Sequence, residues 1–206
     1  MKFKLEWKMI LITLISVIMM GFALSILNLV DWGTDSFTFM NLTLSEYLGI
    51  PMGTWQLMVN VVLFIPVILW ARDQIGFGTI FNMVLVGYSI QFFSWVWTLT
   101  PLAGWMDNLG LRIAFMIPSL AVFVFSAATY MTAGLGTSPF DALSFLLSRT
   151  LPKIPFRWLR LAWDAAFIAI GMIFGGKVGI VTILMALFIG QTVSFVGRKV
   201  FGREKM

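Results

Sequence analysis

The sequence GLGTSPFD, from Gly134 to Asp141, follows a long apolar run and begins a short segment that is unusually polar. A related sequence, DWGTDSFT, occupies Asp31 to Thr38 in the same setting. The two stretches lie 103 residues apart, which is half of the 206-residue chain. Their spacing indicates that one structural unit occurs twice within the chain.

The 103-residue spacing recurs at other positions. Gly76 and Thr79 have counterparts of the same residue type at Gly179 and Thr182. Matches at one spacing in separate places indicate a duplication, because chance would scatter them over many spacings. The predicted organisation is a first membrane repeat over residues 1–98, a linker over 99–111 and a second membrane repeat over 112–206, which together form one membrane domain.

The composition indicates a membrane protein rather than a soluble domain. Hydrophobic residues make up 60% of the chain and charged residues 11%, with a mean hydropathy of +0.95. Soluble domains typically carry about 25% charged residues and about 45–50% apolar ones. In a bilayer, the excess of apolar side chains faces lipid instead of water. The lipid bilayer is therefore the first predicted partner.

Two missing residue types exclude several kinds of chemistry. The sequence has no histidine and no cysteine, so an imidazole base, a thiol nucleophile and a zinc–thiolate centre are not available. The carboxylates show no metal-binding spacing. We therefore expect no catalytic residue, no metal site and no cofactor, and we interpret the chain as a protein that is not an enzyme.

The apolar runs predict an all-α polytopic membrane protein that contains an internal duplication of two four-helix units. A spanning helix needs about 20 residues, and we expect six long transmembrane helices. Two shorter and more polar segments predict half-helices, which enter the membrane without crossing it. The long helices are predicted at Met9–Leu29, Trp55–Trp70, Ile80–Trp97, Arg112–Met131, Phe156–Phe174 and Gly179–Val196, and the short ones at Asp35–Gly49 and Ser138–Thr150.

The basic residues predict the orientation of the chain in the bacterial plasma membrane. The net charge of +5 is concentrated at the ends of apolar runs, which indicates membrane orientation rather than nucleic acid binding. The positive-inside rule then predicts cytoplasmic N- and C-termini and a cytoplasmic turn over Arg149–Arg160. Six crossings with inverted repeats and eight crossings with parallel repeats satisfy the rule equally well. We favour six, because the two short helices are too short and too polar to cross comfortably.

The residues from Ser138 to Asp141 have the pattern of a helix start. Ser138 suits the N-cap, Pro139 suits the first helical position, and Asp141 completes a variant of the capping box. Capping alone therefore explains them. In the alternative interpretation, Gly134 and Gly136 let the backbone approach a ligand, and the N–H groups of the helix N-terminus favour an anion or carboxylate. The corresponding loop of the first repeat would face this one across a pseudo-twofold axis.

Asp164 is the most informative single residue, because it lies several residues inside a predicted span. A carboxylate at the centre of a membrane helix costs about 2.5–3.5 kcal/mol on insertion scales, so such residues are functional candidates. Its counterpart in the first repeat, Asn60, is also polar. Alternatively, Asp164 is structural and pairs with Arg160, four residues earlier on the same helix face. The predicted substrate-binding residues are Gly33, Thr34, Asp35, Ser36, Asn60, Gly134, Gly136, Thr137, Ser138, Asp141 and Asp164.

The stretch from Gly134 to Asp141 resembles the Gly-x-Gly-x-x-Pro-x-Asp signature of the YczE/YyaS/YitT-like family of bacterial integral membrane proteins. The pattern of Gly78-Thr79 with Gly87 is similar to the same family, and the likeness covers nearly the whole chain. In the first repeat, Asp35-Ser36 replaces the Ser-Pro of the signature. The family is largely uncharacterised, so the resemblance implies a plasma-membrane transporter without naming its substrate.

Two functions from different classes fit the sequence. The first is a small-solute transporter or channel with a central site at the repeat interface, built from helix N-termini and intramembrane polar residues. Its substrate would be a small molecule or an ion. The alternative is a non-transporting accessory or regulatory protein that binds a partner in the bilayer. We expect no nucleic acid partner, and a homo-oligomer is compatible with the sequence.

Overall fold

The computed structural model describes the backbone of residues 2–201 and the side chains of residues 7–191 and of Phe195. Over those residues, all of the regular secondary structure is helical. A 3₁₀ turn, Arg72–Gln74, lies between the third and fourth α-helices. In chain order, the α-helices within residues 2–201 are α1 (Lys2–Val30), α2 (Ser36–Leu48), α3 (Met52–Trp70), α4 (Phe77–Thr98), α5 (Leu102–Trp105), α6 (Leu109–Thr132), α7 (Pro139–Thr150), α8 (Phe156–Ile173) and α9 (Ile180–Phe201).

Four of the described helices are long and apolar enough to cross a membrane. They are α1 from Trp7 to Val30, α3, α4 and α6. Helix α8 is less apolar, because its 18 residues include Arg157, Arg160 and Asp164. The apolar part of α9 whose side chains are described, Ile180–Gln191, is shorter than a span. The all-helical fold is therefore confirmed, whereas the duplication and the number of crossings stay predictions.

The basic residues of both chain ends bear on the predicted cytoplasmic termini. Six of them lie outside the described side chains or beyond residue 201: Lys2, Lys4, Arg198, Lys199, Arg203 and Lys205. Lys8 is described and is exposed.

The outer faces of the long helices are apolar. Along α3, the side chains of Val61, Val62, Ile65 and Leu69 are exposed, and Ile117 is exposed on α6. Soluble monomers rarely expose contiguous apolar patches of more than a few hundred Å². A lipid environment accounts for these faces, because lipid tails are as apolar as the side chains themselves.

The two short helices pack against the opposite half of the chain. Helix α1 packs against α4 and α6, and α6 also packs against α9. Helix α2 packs mainly against α8, whereas α7 packs against α3. The starts of α2 and α7 meet between the halves, where the rings of Phe37 and Phe140 stack with their centroids 4.9 Å apart. The site described below forms around this meeting point.

The loop before each short helix is bonded to the start of a long helix from the other half. The backbone N–H of Val181 in α9 donates to the carbonyl of Trp32 at 2.9 Å. The N–H of Gly78 in α4 donates to the carbonyl of Leu135 at 2.7 Å. Donors and acceptors of these two bonds differ by the same 103 positions. The loops therefore hold the two halves together in two matching places.

Two glycines permit this close approach. Gly33 and Gly136 have φ angles of 105° and 95°, a region that side chains with a Cβ rarely adopt. A Cβ at Gly136 would lie 2.5 Å from Thr79 Oγ1, and a Cβ at Gly33 would overlap the side chain of Thr182. The absence of a side chain at both positions is thus explained by contact with a helix.

An ion pair joins the turn between α3 and α4 to the end of α7. Arg149 Nη2 lies 2.5 Å from Asp73 Oδ2, and Arg149 Nη1 donates to Asp73 Oδ1 at 3.0 Å. These bonds lower the pKa of Asp73 from its ordinary value of 3.8 to about 2. Both side chains are about half exposed, so the pair fixes a position more than it adds stability.

Candidate functional site

Charged side chains meet where α8 passes the starts of α2 and α7. On α8, Arg160 Nε donates to Asp164 Oδ2 at 3.1 Å. Arg160 Nη1 donates to Asp141 Oδ1 of α7 at 2.5 Å. The side chain of Asp164 is only 2% exposed, and those of Arg160 and Asp141 are largely buried. One guanidinium thus pairs with two carboxylates, and the predicted ion pair between Arg160 and Asp164 is confirmed.

The start of α7 has the predicted cap. The Asp141 N–H donates to Ser138 Oγ at 3.1 Å, and that hydroxyl donates to Asp141 Oδ2 at 2.7 Å. Pro139 is the first helical residue. The Arg160 guanidinium also lies over the Phe140 ring, 4.8 Å from its centroid. Capping and charge pairing therefore use the same carboxylate.

The start of α2 is capped by an aspartate. Asp35 Oδ1 accepts a hydrogen bond from the Thr38 N–H at 3.1 Å. The next residue, Ser36, donates from its hydroxyl to Asp164 Oδ1, which links α2 to α8 across the halves. The anion that a helix N-terminus favours is supplied here by the chain itself.

A cavity of about 340 Å³ lies beside these helix starts. That volume is at the lower end of the range of about 300–1,000 Å³ that is usual for small-molecule sites. Its wall is mostly apolar. The polar side chains that line it are Asp35, Thr38, Gln56, Asn82, Tyr130, Ser138, Asp141, Ser148 and Arg160. We call it the central cavity.

Many residues of the central cavity wall come in pairs, one from each half of the chain. The members of each pair are 103 residues apart, which is the spacing of the predicted repeat, except that Gln56 and Arg160 are 104 residues apart. In each polar pair, one residue is charged and the other is neutral. The two halves therefore place residues at matching positions of the wall but give it different charges. The pairs are Met20 with Phe123, Leu24 with Ala127, Asp35 with Ser138, Phe37 with Phe140, Thr38 with Asp141, Gln56 with Arg160 and Val86 with Ile189.

Three polar atoms at the central cavity have no hydrogen-bond partner among the described residues. They are Asp35 Oδ2, Gln56 Oε1 and Tyr130 Oη. Gln56 and Tyr130 are each only 1% exposed. A buried polar atom without a partner costs about 1–3 kcal/mol, so it needs an explanation. A bound ligand that supplies the missing partners would provide one.

Five of the predicted site residues belong to this constellation. Asp35, Ser138 and Asp141 line the central cavity. Ser36 and Asp164 are joined to it through hydrogen bonds and the Arg160 ion pair.

Asn60 and Thr137 lie elsewhere. Asn60 Nδ2 donates to the carbonyl of Met83 at 3.2 Å, between α3 and α4. The Thr137 N–H donates to the carbonyl of Gln74 at 3.0 Å, in the contact between a loop and the α3–α4 turn. Neither lines the central cavity.

The predicted glycines also lie away from the central cavity. Gly33 and Gly136 make the helix contacts described above, and Gly134 follows the end of α6 in a left-handed conformation with φ of 70°. Gly33 and Thr34 line a second cavity, of about 630 Å³. The close backbone approach expected for these loops is therefore an approach to protein.

The second cavity lies between the far end of α2 and the turn from α8 to α9. Its charged side chains are Asp31, Glu46 and Lys177. Thr34 lines it, whereas the next residue, Asp35, lines the central cavity. The loop before α2 therefore separates the two cavities.

Six polar residues of the central cavity wall were not among the predicted site residues: Thr38, Gln56, Asn82, Tyr130, Ser148 and Arg160. Arg160 was expected only as a structural partner of Asp164. Gln56 precedes Arg160 by 104 residues, the same spacing that relates Asn60 to Asp164. The repeat pattern could therefore have identified Gln56 as the counterpart of Arg160. Tyr130 had no such indication, because one aromatic residue in an apolar run is typical of any membrane helix.

These features define the class of protein. It is a multi-pass membrane protein, helical over residues 2–201, whose helices line a cavity with a buried charge network beside it. The chain belongs to a family of unknown function, DUF6198, whose profile matches residues 7–198.

Uncharacterised proteins from bacteria are similar to the chain. The uncharacterised membrane protein YczE of Bacillus subtilis is 26% identical over 153 residues, which cover 74% of this chain and 68% of the relative. The uncharacterised protein YyaS of the same organism is 27% identical over 171 residues, or 82% of each chain. An uncharacterised protein of Haemophilus influenzae is 21% identical over 192 residues, which cover 92% of this chain and 84% of the relative. No solved structure matches the chain.

The resemblance found in the Gly134–Asp141 signature is thereby confirmed. The family and its relatives support membrane residence and assign no substrate.

Proposed function

We propose that this protein transports a small solute across the bacterial plasma membrane, and that the solute binds in the central cavity. The observation that carries the proposal is the position of the cavity, between two halves that each contribute a capped helix start and polar side chains at positions 103 or 104 residues apart. Intramembrane ionisable residues usually mark solute or ion pathways. Substrate sites at the interface of two repeats, beside broken helices, are common among transporters.

In the proposed architecture, the two halves are inverted repeats with six crossings. The ion pair of Asp73 with Arg149 supports it, because eight crossings would put these residues on opposite sides of the membrane. The Arg112 guanidinium lies 5.5 Å from the Trp32 ring centroid, and the same argument applies to this contact. Helices α2 and α7 are then half-helices.

The two cavities suggest the route of the solute. Ser148 and Phe156, near the basic turn between α7 and α8, line the central cavity. We infer that this cavity faces the cytoplasm and that the second cavity faces outward. The loop before α2, between Thr34 and Asp35, would be the barrier that the solute passes.

The proposed topology predicts which side of the membrane each turn occupies. The chain lacks cysteine, so single cysteines introduced at exposed positions report their own location. With an impermeant thiol reagent on intact cells, we expect Asp107→Cys to be labelled and Arg72→Cys not to be. Lys153→Cys, in the basic turn, is the control that stays unlabelled until the cells are opened. Labelling of Arg72→Cys but not of Asp107→Cys would mean eight crossings.

A transporter must expose its central cavity to each side in turn, and Thr38 tests this. We expect Thr38→Cys to react with an impermeant thiol reagent both from outside, in intact cells, and from the cytoplasmic side, in inverted vesicles. Ser119→Cys is the matched control, because Ser119 is equally buried but lines neither cavity. An accessory protein with a sealed interior would leave Thr38→Cys unreacted from at least one side, and that result would reject transport.

A further inference from the structure

We infer that the central cavity binds an organic cation: a small ammonium compound with an apolar body. The inference rests on the proposed function and specifies its substrate class. It follows from the unpartnered acceptors, the charge balance and the lining of the cavity.

The unpartnered atoms require hydrogen-bond donors. Gln56 Oε1 accepts hydrogen bonds, as does Asp35 Oδ2 in the ionised carboxylate, and Tyr130 Oη can accept or donate. An ammonium group has three donors and no acceptor. It is therefore the complement of what the cavity wall lacks.

The charge balance also favours a cation. Three carboxylates, those of Asp35, Asp141 and Asp164, belong to the site, and Arg160 is the one cationic side chain at the cavity among the described residues. Arg160 is already shared between Asp141 and Asp164. The N-terminus of α2 offsets only about half a charge of Asp35. Buried charges are normally paired, so the free oxygen of Asp35 is the place for a positive group.

An anionic ligand would find an N–H donor of each helix start already engaged. The Thr38 N–H is bonded to Asp35, and the Asp141 N–H is bonded to Ser138. The helix starts, which the sequence alone predicts as sites for a carboxylate, are thus capped by the chain's own side chains. A second anion beside Asp35 would meet like charge.

The remaining wall fits the apolar part of such a molecule. Phe37, Phe123, Phe140 and Phe145 line the cavity, and aromatic rings attract cations as well as apolar groups. At about 340 Å³, the cavity suits a small amine rather than a lipid. Gln56 and Asp35 would hold the ammonium, and the phenylalanines would hold the body.

The test is a binding measurement on the full-length protein in lipid nanodiscs, by isothermal titration calorimetry with 2-phenylethylammonium. We expect saturable binding of this probe and none of 3-phenylpropanoate or 2-phenylethanol, which keep the ring and lack the positive charge. Asp35→Asn should weaken binding at least tenfold while α2 stays capped, because asparagine caps helices as well as aspartate does. Gln56→Glu should strengthen it, and Asp107→Asn, far from the cavity, should leave it unchanged.

The other outcomes overturn the inference in distinguishable ways. Binding of 3-phenylpropanoate alone, or equal binding by the Asp35→Asn variant, contradicts a cation site at Asp35. A site that takes Na⁺ and excludes the organic ammonium also contradicts it. If Thr38→Cys is nevertheless labelled from both sides, the transport proposal stands and only the substrate class is wrong.

Discussion

An Arg160→Met variant should be strongly destabilised. The substitution leaves two largely buried carboxylates, Asp141 and Asp164, without their common cation. Breaking a buried ion pair by removing one partner typically costs about 3–5 kcal/mol. At about 2–4 °C per kcal/mol for a chain of this size, we expect the apparent melting temperature to fall by about 10 °C. Size-exclusion chromatography of heated samples in detergent measures the change.

Neutralising the two carboxylates that lose their cation should reverse this loss of stability. Replacing a whole buried charge network with neutral groups is often neutral or stabilising. We therefore expect the triple variant Arg160→Met, Asp141→Asn, Asp164→Asn to recover most of the lost stability. Arg149→Met, which breaks the exposed pair with Asp73, is the matched control and should shift the melting temperature by only about 1–3 °C. If Arg160→Met unfolded at the wild-type temperature, the network would not be the buried unit described here.

A Gly136→Ala variant should be destabilised nearly as strongly. Alanine at a φ of 95° is strained, and its Cβ would lie 2.5 Å from both Gly76 N and Thr79 Oγ1. Backbone strain of this kind costs of order 1–3 kcal/mol, and the displaced contact between the halves adds to it. We expect a fall of about 5–10 °C in the apparent melting temperature and a lower yield of monodisperse protein.

Gly49→Ala separates the two causes of that effect. Gly49 also has a positive φ, 65°, but a Cβ there would meet no atom within 4 Å. Its variant should therefore show the backbone cost alone, about 1–2 kcal/mol. Equal effects at Gly49 and Gly136 would mean that the loop contact with α4 adds nothing to stability.

The local parts of the fold were predictable from the sequence. The second short helix was predicted at Ser138–Thr150, and the structure has Ser138 as the cap and Pro139–Thr150 as the helix. Helix starts are set by nearby side chains, so neighbouring residues suffice to predict them. The pair of Arg160 with Asp164 is local in the same sense, because four residues bring two side chains to one helix face.

The composition of the central site was less predictable, because it depends on packing between distant segments. Ser36 reaches Asp164 only because α2 packs against the helix of the opposite half. Gln56 enters the cavity wall for a similar reason. Gly136 was expected to let the backbone approach a ligand, whereas the structure places a helix against both Gly33 and Gly136. A sequence does not state which of the two groups approaches a glycine.

Each short helix packs against a long helix of the opposite half, and this packing has a consequence for biosynthesis. Ser36 and Asp164 are 128 residues apart in the chain. While the ribosome is still making the second half, the polar start of α2 has entered the membrane before its partner on α8 exists. We expect the start of α2 to lack a fixed position, and to be accessible to membrane chaperones and proteases, until α8 is inserted. Neither half made alone would then reach its final arrangement.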